Sequence, residues 1–326
     1  TSAGLMTARK SPSELGAFLL KRGLWLIVVE WFVIATAITF APWGIEQMGG
    51  LVAVPMQVIW AIGASMIVLA GAQFLGRRAC LVIGGAILLG HNLLDPVWPA
   101  TSGPFDTGHP LWAALHAQTG VAAGPFFFGF VYPVLPWIGV MLLGYGTAGV
   151  FQDPPERRDG RLLAWGIAAT AAFLALRGAG VYGDPNPWRL QDTVIRTALD
   201  FLNVTKYPPS LDFLLMTLGP AAVLCASSDR VPAAVKQPLI TCGRVPFAFY
   251  VAHFYLIHLL SMLLGVLQGY DAGQFLTIMF FFPKGYGVTL PGVYAVWLLV
   301  IVTLYPFCRW VAEVKRRRRD WWLSYL

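Results

Sequence analysis

Two imidazoles interrupt an otherwise apolar, aromatic run, GRVPFAFYVAHFYLIHL, at residues 243–259. Histidine titrates closer to neutral pH than any other side chain, so His253 in such a setting is a candidate general base or proton relay. An ionisable ring is costly in hydrocarbon and is retained where it faces a cavity or a partner. At 1.5 Å per residue His253 stands about 15 Å along a helix from Gly243, near the middle of a bilayer. His258 follows five residues later, roughly 140° around the same helix, so the two rings need not share a site. For either, the competing reading is a histidine satisfied by a neighbouring helix.

A second set of reactive types lies in GHNLLDP (residues 90–96). His91 and Asp95 are four apart, and an α-helix would put them on one face, where a carboxylate can orient and charge an imidazole. The alternative is an interfacial cap ahead of the proline. A third set is KYPPSLD (residues 206–212). There Lys206 and Tyr207 precede a helix whose opening turns carry Ser210 and Asp212, a place to hold an anion or a sugar hydroxyl. The competing reading for Lys206 is a lysine that snorkels to the interface. Glu30 falls inside an apolar stretch and must be protonated or paired. The loop at residues 97–124, with His109 and His116, is too long for a passive connection and is expected to cover something.

The elements that must hold these groups are membrane spans. Of the 326 residues 57% are hydrophobic and 12% charged, and the mean hydropathy is +0.65. Soluble domains run nearer a quarter charged. The expected fold class is all-α, a polytopic transmembrane helix bundle of about eight spans near residues 23–42, 53–74, 79–96, 126–150, 161–178, 209–227, 244–267 and 289–311. Ser11-Pro12-Ser13-Glu14 resembles a helix start ahead of the first of them. Threaded alternately, these spans leave all of the 23 Lys and Arg on one side except Arg177, Arg189, Arg196, Lys206 and Lys284. The positive-inside rule makes that side cytoplasmic and puts the C-terminus there. The net charge of +7 is thereby an orientation signal, and nucleic acid is not an expected partner. The four cysteines lack CxxC spacing, which points to structural thiols and to neither a metal site nor a disulfide framework. The stretch FLTIMFFF (residues 275–282) is short for a span and reads as a re-entrant candidate.

Several stretches together resemble one family: RGLWLIVVEW (22–31), GHNLLDPVWP (90–99), YPVLPWIGVMLLGY (132–145), LNVTKYPPSLDFLLMTLGP (202–220), GRVPFAFYVAHFYLIH (243–258) and the C-terminal LYPFCRW…WWLSYL. They are similar to bacterial membrane proteins of the heparan-alpha-glucosaminide N-acetyltransferase catalytic-domain family. The resemblance covers essentially the whole chain as one transmembrane acyltransferase-like domain, residues 1–326. It also implies that the family's N-terminal helix and the start of the next, with the histidine usually given the central role, precede Thr1.

What the resemblance implies is an enzyme of the bacterial inner membrane. It would move an acetyl or other acyl group from cytoplasmic acetyl-coenzyme A to an amine or hydroxyl of an envelope glycan-type acceptor outside. His253 of the GxxPFxxYxxH pattern and the Lys206–Ser210 region carry over. Arg22 and Arg244, at the cytoplasmic mouth, are candidates for the phosphates of coenzyme A. Membrane lipids, the glycan acceptor and a possible homo-oligomer are the expected partners. The alternative is a transporter or flippase for a glycan-lipid or small solute, using proline-broken helices and intramembrane His and Glu as a gated path. A non-enzymatic scaffold is a third reading.

Overall fold

The computed structural model, which describes residues 1–96, 109–318, 320 and 323, contains thirteen α-helices among those residues. These are α1 (Ser2–Met6), α2 (Pro12–Val29), α3 (Ala35–Thr39), α4 (Val58–Ala72), α5 (Arg77–Gly90), α6 (Pro110–Leu115), α7 (Leu135–Gly146), α8 (Pro155–Ala179), α9 (Val194–Leu202), α10 (Leu211–Ala226), α11 (Ala233–Gly243), α12 (Pro246–Leu267) and α13 (Leu290–Arg317). Prolines open several of the helices, α2, α6, α8, α12 and α13 among them, and glycines close others, such as α5 and α7. The start of α2 is the expected capping box. The Ser11 N–H donates to Glu14 Oε2 at 2.8 Å, and the Glu14 N–H returns to Ser11 Oγ at 3.3 Å.

Among the described residues four helical segments are long and apolar enough to cross a membrane: Val58–Leu75, Pro155–Ala179, Pro246–Leu267 and Leu290–Arg317. The expectation of eight spans is therefore not supported. Residues 53–74 open on a strand, residues 126–150 hold a strand and the 12-residue α7, and α5 has only 14 residues. α10 is apolar but stops at 16 residues. Nor is the fold purely helical. β1 (Val52–Met56), β2 (Thr119–Ala123) and β3 (Phe126–Phe130) form a sheet in the order β1-β3-β2. Hydropathy alone cannot separate such runs from spans, and the β-branched and aromatic content of VAVPM and FFFGF tips them to strand.

The chain divides into two compact units. The first comprises Thr1–Ile27, Met56–Val121 and Gly129–Arg230, and the second Val28–Pro55, Ala122–Phe128 and Val231–Leu326. The first has a core around Leu15, Leu19, Leu69, Ile138, Leu142 and Tyr145. Its helices approach closely where glycines remove the side chain. A Cβ on Gly139 would stand 2.7 Å from Leu88 on α5, and one on Gly166 of α8 would stand 2.7 Å from the Gly219 carbonyl of α10. Gly166→Ala is thus expected to destabilise the protein by about 1–3 kcal/mol, since backbone cannot step aside as a side chain can. Thermal unfolding in detergent checks this, with exposed Gly160→Ala as the neutral comparison.

In the second unit a π-helical turn, Glu30–Ile34, leads into α3, and Glu30 is fully buried there. The Tyr255 hydroxyl of α12 donates to the Val33 carbonyl at 3.1 Å. FLTIMFFF is no span but two 3₁₀ turns around the buried Phe275. Of the loop at 97–124, residues 97–108 lie outside those described, and the remainder forms α6 and β2. The C-terminal aromatic anchor falls largely outside them too.

Candidate active site

α5 ends at Gly90 and the chain tightens into a 3₁₀ turn, His91–Leu94, ahead of Asp95. That change of pitch re-sorts the side chains. With three residues per turn, positions three apart align while positions four apart swing away. Accordingly Asn92 Nδ2 donates to Asp95 Oδ2 at 2.8 Å, and Asp95 turns from His91 to His116, accepting from its Nε2 at 2.6 Å. A carboxylate can only accept, so His116 donates from Nε2 and presents Nδ1 as its basic nitrogen. His116 caps α6, is fully buried, and packs against the Trp112 ring at 4.9 Å. Its Nδ1 has no hydrogen-bond partner among the described residues. His91 lies beside it, ring centres 5.9 Å apart, 2% exposed, with neither nitrogen partnered among the described residues.

Burial, and secondarily the neighbouring His116, push His91 down from 6.5 to about 4, while Asp95 works the other way. His91 is therefore neutral at physiological pH. Below pH 6.5 an unfolded chain takes up a proton that the folded one refuses, so the folded state loses stability as pH falls toward 4. The full effect is on the order of 3 kcal/mol. Asp212, raised by burial and then by Asp184 to about 6, acts in the opposite sense, so the whole-protein curve mixes the two. The difference between wild type and His91→Gln isolates His91. That difference is expected to shift in favour of the variant between pH 6.5 and 4, as read by chemical denaturation.

The other half of the site is anchored by residues that the sequence reading passed over. The Asp184 side chain is buried and accepts from the Thr205 N–H at 2.6 Å, Thr205 Oγ1 at 2.9 Å, the Asn186 N–H at 2.8 Å and Ser210 Oγ at 2.7 Å. Arg177, 3% exposed in the last turn of α8, stands 3.8 Å from Asp184 and donates to the carbonyls of Asn186, Asp200, Phe201 and Asn203. Ser210 caps α10, its Oγ accepting from the Phe213 N–H at 3.1 Å. The Leu211 N–H donates to Asn92 Oδ1 at 2.9 Å. Two hydrogen-bonded runs thus meet at the start of α10, Asp184–Ser210 on one side and Leu211–Asn92–Asp95–His116 on the other, joined by the Ser210–Leu211 peptide bond. The Asp212 carboxylate lies against Gly183, where φ is +108° and a Cβ would stand 2.5 Å from Oδ1. No partner meets that oxygen among the described residues.

Lys206 is exposed, its Nζ 5.2 Å from the ring centre of Tyr207 and 5.8 Å from that of Tyr132. Tyr132 also borders an apolar cavity of about 450 Å³ between α4 and α7, with Ile62, Ser65, Trp137 and Leu218. The structure thus brings His91, Asp95, Lys206, Tyr207, Ser210 and Asp212 into the first unit, and adds His116, Asn92, Asp184 and Arg177. Arg22 is half-buried on α2 of that unit.

His253 and Arg244 belong to the second unit. Arg244 is exposed at the end of α11. His253 is half-buried and its Nδ1 bonds the Tyr250 carbonyl of its own helix, with Phe249 stacked on the ring. His258 is a satisfied histidine. Its Nε2 donates to the Phe275 carbonyl at 2.8 Å, and Phe40 stacks on it at 4.1 Å.

The family model for heparan-alpha-glucosaminide N-acetyltransferase, catalytic, matches residues 4–180, more than half of the chain. The chain belongs to this family. The matched segment holds His91, Asn92, Asp95, His116 and Arg177, while Asp184, the Lys206–Asp212 stretch and His253 lie beyond it. No curated protein and no solved structure matches the chain.

Proposed function

We propose that this member of an acetyltransferase-type family transfers an acetyl or other acyl group from acyl-coenzyme A to an amine or hydroxyl of a glycan-type acceptor, with the His116–Asp95 pair as general base. The observation that carries the proposal is the paired, buried imidazole whose second nitrogen has no partner among the described residues, inside the family segment. Acyl transfer needs what this pair offers. The acceptor's lone pair attacks the thioester carbon, and His116 Nδ1 takes the proton that the nucleophile loses. Asp95 stabilises the imidazolium, which returns the proton to the departing thiolate. Neutral His91 keeps the neighbourhood free of competing positive charge, and Lys206 with Tyr207, Ser210 and Asp212 would hold acceptor hydroxyls. His116 leads His253 as the base because a carboxylate aims its ring, whereas His253 is held by a backbone carbonyl of its own helix.

The residues fit coenzyme A in kind. The apolar cavity beside Tyr132 suits an acyl-pantetheine arm. Arg22 in the first unit and Arg244 in the second are separate candidates for a coenzyme A phosphate. In this reading the donor is cytoplasmic, the acceptor lies across the bacterial inner membrane, and the C-terminus is cytoplasmic. The test is release of free thiol from acetyl-coenzyme A by the full chain in vesicles, with glucosamine as acceptor. Acceptor-dependent release, with label appearing on the sugar, supports the proposal. No release together with sugar flux into the vesicles overturns it in favour of a transporter.

A further inference from the structure

α9 is built inside out for a helix in water. Its apolar side chains are the exposed ones: Val194 at 87%, Ile195 at 74%, Leu199 at 63% and Leu202 at 50%. At 100° per residue these four and Ala198 span about 140° of the helix surface. Thr197 and Asp200 lie on the other side and turn inward onto their own loop, with Thr197 Oγ1 accepting from the Gln191 N–H and Asp200 Oδ2 from the Arg189 N–H. None of its residues is buried.

The place of α9 says what covers this face. α8 has 25 residues, about 37 Å of helix against a hydrocarbon core of about 30 Å, so its last turn reaches the headgroup layer. Arg177 in that turn grips the Asp200, Phe201 and Asn203 carbonyls at the end of α9. Phe201 also packs on Phe173 of α8 at 5.7 Å. α9 is thereby tied to the depth at which a spanning helix leaves the bilayer.

We propose that α9 is an interfacial helix lying in the headgroup layer, with Val194, Ile195, Leu199 and Leu202 seated against lipid acyl chains. The partner is a lipid surface of any headgroup charge. Arg196 is paired with Asp192 at 2.8 Å, and over residues 189–202 the two arginines are matched by two aspartates, so the segment carries no net positive charge to seek anionic lipid. The inference rests on α8 as a span and not on acyl transfer. It would set the Thr205–Asp212 stretch at the membrane surface, where an acceptor arrives along the bilayer plane.

Photoreactive benzophenone side chains at Ile195, Leu199 and Arg196, one at a time in the full chain, test it in phosphatidylcholine vesicles and in equimolar phosphatidylcholine–phosphatidylglycerol vesicles. All three positions are exposed, and unchanged thermal unfolding of each variant establishes that the fold is kept. The expected result is acyl-chain adducts at positions 195 and 199, their loss at 196, and equal yields in the two lipid mixtures. Adducts between two copies of the chain, adducts to another segment of the same chain, or no adduct at 195 and 199 would each overturn it. So would a yield that requires the anionic lipid.

Discussion

A His116→Gln chain is expected to transfer acyl groups about 10²–10⁴-fold more slowly, the usual loss when a positioned general base is removed. Glutamine can still donate a hydrogen bond to Asp95 but cannot take a proton, so kcat falls while the donor's KM stays near wild type. Asp95→Asn should lose a comparable factor by a different route, because an amide no longer stabilises the imidazolium. His91→Gln should lose far less, since His91 borders the pair without a hydrogen bond to it. Steady-state thiol release, with and without added imidazole, measures all three. Partial rescue of His116→Gly by imidazole would identify the missing group as a base, whereas equal losses in all variants would mean that the cluster merely supports the fold.

The largest stability effect is expected at Asp184. Asp184→Ala strips the partner from the buried Arg177 guanidinium and leaves the Thr205, Asn186 and Ser210 donors without their acceptor. Removing one member of a buried ion pair costs about 3–5 kcal/mol, most of it the stranded charge. Asp192→Ala, which breaks the exposed pair with Arg196, should cost less than about 1 kcal/mol. Thermal unfolding of the two variants side by side checks the contrast. Activity of Asp184→Ala should fall with its stability, because Ser210 and Leu211 then no longer brace Asn92 behind Asp95.

Much of the architecture is a local matter of composition. The apolar lengths of α8, α12 and α13 and the Ser11–Glu14 cap are legible because they depend on neighbours in sequence. The strands β1 and β3 were hidden because an apolar strand and half a span have the same hydropathy. The pairing of Asp95 was hidden because its sequence spacing to His91 fits an α-helix, and only the 3₁₀ turn after Gly90 shows that this spacing does not apply. Nothing local marks His116, which lies in a loop 21 residues beyond its partner. A Gly-Asp-Pro step such as Gly183–Pro185 signals a turn and nothing more, and Arg177 stands out in the sequence only as one of the five cations off the cytoplasmic side.

By itself, then, the sequence determined that this is a helical membrane protein of the acetyltransferase-type family, and it placed His91, Asp95 and the Lys206–Asp212 stretch among the candidates. Composition and runs of adjacent residues carry that much. Only the tertiary structure decided that Asp95 serves His116, that Asn92 ties the pair to the start of α10, and that Asp184 and Arg177 hold the whole together. These are contacts between residues far apart in the chain, selected by which buried donor finds which acceptor, and a linear spacing carries no record of that choice.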